Sequence, residues 1–174
     1  MTNTVLDALK NRRSIRKYKT EQITDEELNA VLEAGKYAPT GMNRQSPLMV
    51  VVQDADTIAK LSRMNAAVMG QTEGDPFYGA PTVVIVLADS ENYNGFVDGC
   101  LVMGNLMNAA YAIGLGSCWI NRAREVFETE EGRAMLRSWG IDDKYTGVGN
   151  CILGYPDCPH PEARPRKENY VVRV

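Results

Sequence analysis

From about Phe96 to Ile113 the chain is apolar on nearly every side of a helix: Val97, Cys100, Leu101, Val102, Met103, Leu106, Met107 and Ala110 leave no polar stripe. A surface helix hides one face and wets the other, so a helix without a wet face has to be covered all round. In a chain of 174 residues that makes 96–113 a central helix, and a partner subunit is one way to complete its cover. The rest of the fold must be arranged around it.

Thr24 to Glu27 is a capping box, with Thr at the cap and Glu three residues on. Leu28, Val31, Leu32 and Gly35 follow at helical spacing, and Pro39 stops the helix. Residues 3–10 form a shorter amphipathic helix with Val5, Leu6 and Leu9 on one side. Leu48 to Gln53 and Thr82 to Leu87 are valine-rich apolar runs of the length that suits buried strands. Between them, 55–69 returns to helical spacing, and 71–79, with Gly74, Pro76 and Gly79, is a loop. Gly114-Leu115-Gly116 caps the central helix. A strand over Ser117–Ile120, two short helices over Arg124–Trp139 and a fourth strand over Gly147–Leu153 follow. Tyr170 to Val174 alternates weakly and is expected as a last strand, on another protomer's sheet. With no linker or repeat, residues 1–174 make one α+β domain.

The chain is 44% hydrophobic and 24% charged with a net charge of −3, which argues against a generic nucleic-acid or membrane-surface binder. No apolar run reaches about 18 residues. The first stretch is rich in Lys and Arg without the apolar core of a signal peptide, so a cytoplasmic location is expected. The four cysteines are scattered and read as reduced thiols; Cys158 and His160 alone cannot complete a metal shell.

Against this mildly acidic background two basic patches stand out, Arg12-Arg13-Ser14-Ile15-Arg16 and Arg164-Pro165-Arg166-Lys167. Guanidinium forks and a Ser hydroxyl suit a phosphate, so the two ends of the chain read as halves of one anion site. The segment Ala38 to Pro47 joins a helix to a strand and packs Pro39, Gly41, Asn43 and Gln45 together. Its composition fits an ordinary turn, and it also fits a loop lying over a flat heteroaromatic ring and bonding to its edge. Gly114-Leu115-Gly116 is not a dinucleotide fingerprint, because Trp119 takes the third glycine position and the order is helix then strand.

NRRSIRKY at 11–18, APTGMNRQ at 38–45, GLGSCWI at 114–120, and Gly154-Tyr155-Pro156 followed by the second arginine patch together resemble the FMN-dependent nitroreductase family from end to end. The resemblance implies an α+β sandwich, a central mainly antiparallel sheet flanked by helices, in a domain-swapped homodimer with two FMN molecules at the interface. It implies that Arg12, Ser14 and Arg16 contact the phosphate and ribityl regions, with Arg13 a neighbouring candidate and Arg164 and Arg166 closing the site. Pro39, Thr40, Gly41, Asn43 and Gln45 would line the flavin from the partner subunit. Cys118, Trp119, Ile120 and Asn121 would pass along the ring, with a backbone N–H near Asn121 reaching N5, and Cys118 acting by packing.

The implied activity is hydride transfer from NADH or NADPH and onward to a small-molecule acceptor, a nitroaromatic or quinone, with no dedicated acid or base. A non-catalytic FMN-binding redox sensor is the alternative from a different class. Flavin-destroying enzymes and reductive dehalogenases share the architecture with other lids. Here the lid candidate is 62–80, with Met64, Met69, Phe77 and Tyr78. The sequence departs from small family members at Asn121, where they often carry glycine; Asn tolerates the positive φ such a turn needs.

Overall fold

The computed structural model describes residues 2–71 and 73–174. Chain order is α1 (Thr4–Asn11), α2 (Asp25–Lys36), β1 (Leu48–Val52), α3 (Ala55–Val68), β2 (Thr82–Asp89), α4 (Gly95–Ala112), β3 (Gly116–Ile120), α5 (Ala123–Glu128), α6 (Glu130–Ser138) and β4 (Tyr145–Gly154). The four strands form one sheet in the order β1-β2-β4-β3, antiparallel throughout. The α+β sandwich expected from the sequence is the observed one.

Both faces of the sheet are covered, which is why β2 reads as an unbroken apolar run rather than an alternating one. Side chains still alternate with period two. Val83, Ile85 and Leu87 join Leu61 of α3, Phe77, Val126 and Phe127 in one core. Val84, Val86 and Ala88 face the other way, onto Val31 of α2 and Val102, Met103 and Leu106 of α4. The capping box forms as expected: Glu27 N donates to the Thr24 hydroxyl at 3.2 Å and Thr24 N donates to Glu27 Oε2 at 2.9 Å.

Two features read from the sequence are left incomplete within one chain. Within one chain α4 is not covered all round: Met103 and Leu106 are fully buried, whereas Phe96 is 42%, Val97 60% and Leu101 43% exposed. The sheet and α2 hide one side and α1 lies against the C-terminal half, while Val97 and Leu101 stay open among the described residues. Tyr170 to Val174 forms no strand here, and its side chains are exposed. Val5 and Leu9 of α1 are likewise exposed. Among the described residues no helix is long and apolar enough to cross a membrane.

Candidate functional site

The first arginine patch is the exit of α1. Arg13 turns back, its Nη1 donating to the Lys10 and Arg12 carbonyls at 2.8 and 2.7 Å, so this guanidinium caps the helix C-terminus. Arg12 is half-buried and has spare capacity: its Nη1 is shut off from solvent with no hydrogen-bond partner, as is Nε of Arg13. Arg16 is exposed. Burial pushes the Cys151 thiol up to about 12; Cys118 adds to the rise and the Arg12 charge opposes it.

The chain then docks on the open edge of β3. Ser14 bridges Ser117 in parallel, and Ile15 N donates to the Ser117 carbonyl at 3.0 Å. Ile15 packs so closely on Gly116 that a Cβ there would sit 3.0 Å from it, which explains the second glycine of Gly114-Leu115-Gly116. Gly114 itself has φ 87° and ends α4. Tyr18 is buried and donates to the Ile15 carbonyl at 2.7 Å; its burial raises its pKa well above the usual phenol range.

The C-terminal segment returns antiparallel to this one. Lys19 N donates to the Tyr155 carbonyl at 2.9 Å, and Asp157 N to the Lys17 carbonyl at 3.0 Å. Lys17 pairs with Asp157 at 2.9 Å, and His160 Nε2 lies 2.9 Å from the Asn11 carbonyl. The two ends of the chain therefore do run side by side up to residue 160. Arg164 and Arg166 lie just beyond and are exposed; Arg166 Nη2 donates to the Arg164 carbonyl at 2.9 Å rather than to a glutamate.

Along β3, Cys118 and Ile120 point into the core with Leu61 and Phe77, while Trp119 packs on the opposite face against Gly149. Any group lying along the outer edge of β3 would meet the backbone here, not the Cys118 sulfur. The strand ends at exposed Asn121. The positive φ expected at Asn121 belongs instead to Arg122 (φ 79°), which opens α5 and pairs with Glu125 at 2.6 Å.

The loop 39–45 is the second part of the site. Pro39, Asn43 and Gln45 are exposed, Thr40 and Gly41 half-buried. Gln45 N donates to the Thr40 hydroxyl at 3.1 Å, and Gln45 Nε2 to Asn43 Oδ1 at 3.0 Å. Met42, Asn43 and Gln45 all hold left-handed φ, 56°, 53° and 49°. Non-glycine residues persist there only where their surroundings over-determine them. The anchor is Asp98 of α4, only 3% exposed, whose Oδ1 accepts from Gly41 N at 3.0 Å; its Oδ2 is buried without a partner. Asn94 fills the space a Gly41 side chain would need. A cavity of about 470 Å³ opens beside the loop, lined by Tyr37, Pro39, Thr40, Asn43 and Gln45 among others. No hydrogen bond or bridge among the described residues joins this loop to Arg12–Arg16 or to Cys118–Asn121.

Of the suggested lid, Met64 and Phe77 are core residues, 8% and 1% exposed, whereas Met69 and Tyr78 are surface side chains. Thr72, within the same stretch, lies outside the described residues. Sequence reasoning missed Asp98 and also Asn65, a fully buried amide whose Nδ2 donates to the Asn121 carbonyl at 2.9 Å. No group of His, Cys, Asp and Glu fit to hold a metal occurs among the described residues.

The fold recurs in known proteins. Among solved structures, a nitroreductase with bound FMN from Bacteroides fragilis is similar with a TM-score of 0.91 at 31% identity, covering 99% of this chain and 100% of that one. An FMN-dependent nitroreductase from Clostridium difficile gives 0.89 at 28% identity, covering 99% of each. A candidate NADH dehydrogenase/NAD(P)H nitroreductase of Archaeoglobus fulgidus is 31% identical over 157 residues, 87% of this chain and 84% of its own length. The profile of the nitroreductase family matches residues 9–155, taking in the first arginine patch, the 39–45 loop and β3 and stopping short of Arg164 and Arg166. The chain belongs to the nitroreductase family.

Proposed function

We propose that this protein is an FMN-dependent NAD(P)H oxidoreductase that reduces nitroaromatics, quinones or similar small acceptors as a domain-swapped homodimer. The observation that carries the reading is the buried, unpartnered Nη1 of Arg12 on a segment held against β3. A buried donor without an acceptor costs about 1–3 kcal/mol, and a phosphate oxygen is the acceptor a guanidinium is shaped to meet. The two similar structures whose names include FMN support the choice of phosphate monoester.

The residues present fit FMN. Arg12, Ser14 and Arg16 would hold the phosphate and ribityl end, with Arg164 and Arg166 closing over it from the other terminus and Arg13 setting the helix exit behind them. Backbone groups from Cys118 to Asn121 would face the ring, with Trp119 and Ile120 fixing the strand. Pro39, Thr40, Gly41, Asn43 and Gln45 would come from the partner. Bound there, FMN supplies hydride transfer, accepting from NADH or NADPH and delivering to the acceptor. The protein's part is to bind, orient and exclude water, and no side chain needs to exchange a proton with the acceptor.

The uncovered apolar surface supports the dimer. Phe96, Val97 and Leu101 on α4, and Val5 and Leu9 on α1, are exposed in one chain. A second copy covers them. The tail Tyr170–Val174 reaches a partner's sheet, whose β1 has a free edge beside Val50, Val51 and Trp139. Anaerobic mixing of the purified protein with NADH and NADPH tests the activity: flavin absorbance bleaches and recovers on adding menadione or a nitrofuran. Yellow protein that neither nicotinamide bleaches overturns the reductase reading in favour of a redox-sensing binder. Colourless protein that takes up no added FMN overturns the cofactor.

A further inference from the structure

Asn65 of α3 is completely buried between Met64 and Ala66, also buried. Its Nδ2 donates to the Asn121 carbonyl at 2.9 Å, and its Oδ1 is buried with no partner. An amide that served only to fill the core would be replaced at a gain by Leu, since a buried acceptor left idle carries its full desolvation cost. The bond it does make falls at a conformationally expensive point. The next residue, Arg122, holds φ 79° and ψ 5° without being glycine, a left-handed state that crowds its Cβ.

We propose that Asn65 is a positioning residue that fixes the plane of the 121–122 peptide at the end of β3. The peptide unit is planar and trans, so its C=O and N–H point in opposite directions. With the Asn121 carbonyl pinned inward to α3, the Arg122 N–H is aimed away from α3 and toward the surface where Asn121 is exposed. Among the described residues, the other polar contacts of Arg122 are the exposed pair with Glu125 at 2.6 Å and the first α5 hydrogen bond, Val126 N to the Arg122 carbonyl at 2.9 Å. Neither of them holds the Asn121 carbonyl. Without Asn65 the peptide is free to flip and relieve the positive φ. Resting on the proposed flavin site, this makes Asn65 the residue that keeps a backbone donor aimed at the ring without touching it.

Two variants test the idea. Asn65→Leu keeps the volume and removes both the bond and the idle acceptor, leaving the Asn121 carbonyl to water. Asn65→Ala removes the bond without any risk of overpacking. In protein stripped of flavin, amide hydrogen exchange over residues 121–123 should rise at least tenfold in whichever variants fold, while the β2 and β4 core stays within twofold. In FMN-loaded protein, affinity for FMN should stay within threefold, while the rate of flavin reduction at saturating nicotinamide falls at least tenfold. Exchange that is unchanged, or that rises equally across the whole chain, overturns the proposal in favour of an ordinary core amide. A local rise with unchanged flavin reduction overturns it too, because the turn would then be irrelevant to the site. The exchange arm needs no cofactor, so it reads out even if the wild-type protein proves not to be a reductase.

Discussion

Arg12→Met separates a ligand-binding arginine from a structural one. Methionine keeps much of the aliphatic stem against the protein and removes only the guanidinium. In the unliganded protein that group holds a buried Nη1 with no acceptor, so its loss relieves a desolvation cost of about 1–3 kcal/mol instead of breaking a bond. Toward FMN the same loss removes at least one charge-assisted hydrogen bond, worth about 1.5–3 kcal/mol. At about 1.4 kcal/mol per factor of ten, FMN affinity should fall roughly tenfold to a hundredfold. The unfolding free energy of the flavin-free protein should hold steady or rise. Flavin fluorescence quenching gives the affinity, and urea unfolding followed by far-UV circular dichroism gives the stability. Unchanged FMN affinity, or a stability loss above about 2 kcal/mol, would refute the reasoning and make Arg12 part of the scaffold.

Asp98→Ala should loosen the 39–45 loop by leaving the Gly41 N–H without its 3.0 Å acceptor; trypsin cutting after exposed Arg44 should accelerate roughly tenfold, for a local loss of about 1.4 kcal/mol. Global stability should change less, because the substitution also removes the buried, idle Oδ2. Gly147→Ala should lower stability by about 1–3 kcal/mol in urea titrations, because the new methyl would press on the backbone of Ala123 and Arg124 where α5 crosses β4; wild-type stability would show that α5 can shift. The Tyr155 hydroxyl, 2.6 Å from Glu27 Oε2, and then the Thr24 backbone and hydroxyl hold the Glu27 carboxyl below its ordinary 4.5. A depressed folded-state pKa adds stability above pH 4.5 that is lost as pH falls through the folded value. Tyr155→Phe should therefore raise the Glu27 midpoint in a carboxyl NMR titration, and an unmoved midpoint would mean that the hydrogen bond does not form in solution.

The elements legible in the sequence are those defined by near neighbours. Thr24 and Glu27 stand three apart and announce a helix start; the valine runs and the glycines around 114–116 mark strands and a cap that the structure reproduces. Asp98 and Asn65 were not legible, for a shared reason. Each is a polar residue in a helix, where solvent exposure is the usual fate, and each gains its meaning from a carbonyl or N–H that is 57 or 56 residues away along the chain. The turn after β3 shows the same limit: the family resemblance pointed to Asn121 for the positive φ, but the structure puts it on Arg122. The apolar character of α4 was legible, while the uneven cover around it depends on how the sheet and α2 pack. The arginine patch stood out as a candidate anion site, yet which arginine is spent on capping α1 depends on the direction the chain leaves that helix.

The parallel bridge between Ser14 and Ser117 turns β3 into a measuring rod. Asn121 lies four residues further along than Ser117, and a strand advances about 3.3 Å per residue, so Ser14 in the proposed anion site and the proposed ring contact at Asn121 are separated by about 13 Å along a rigid, doubly supported element. Ligands would then be selected by length as well as by charge. In the proposed site a flavin without its phosphate would reach the ring end but leave Arg12 idle, and a shorter phosphate ester would satisfy Arg12 but fall short of Asn121. Only a molecule with both ends at that spacing engages both at once, and the spacing can be changed only by re-registering the bridge.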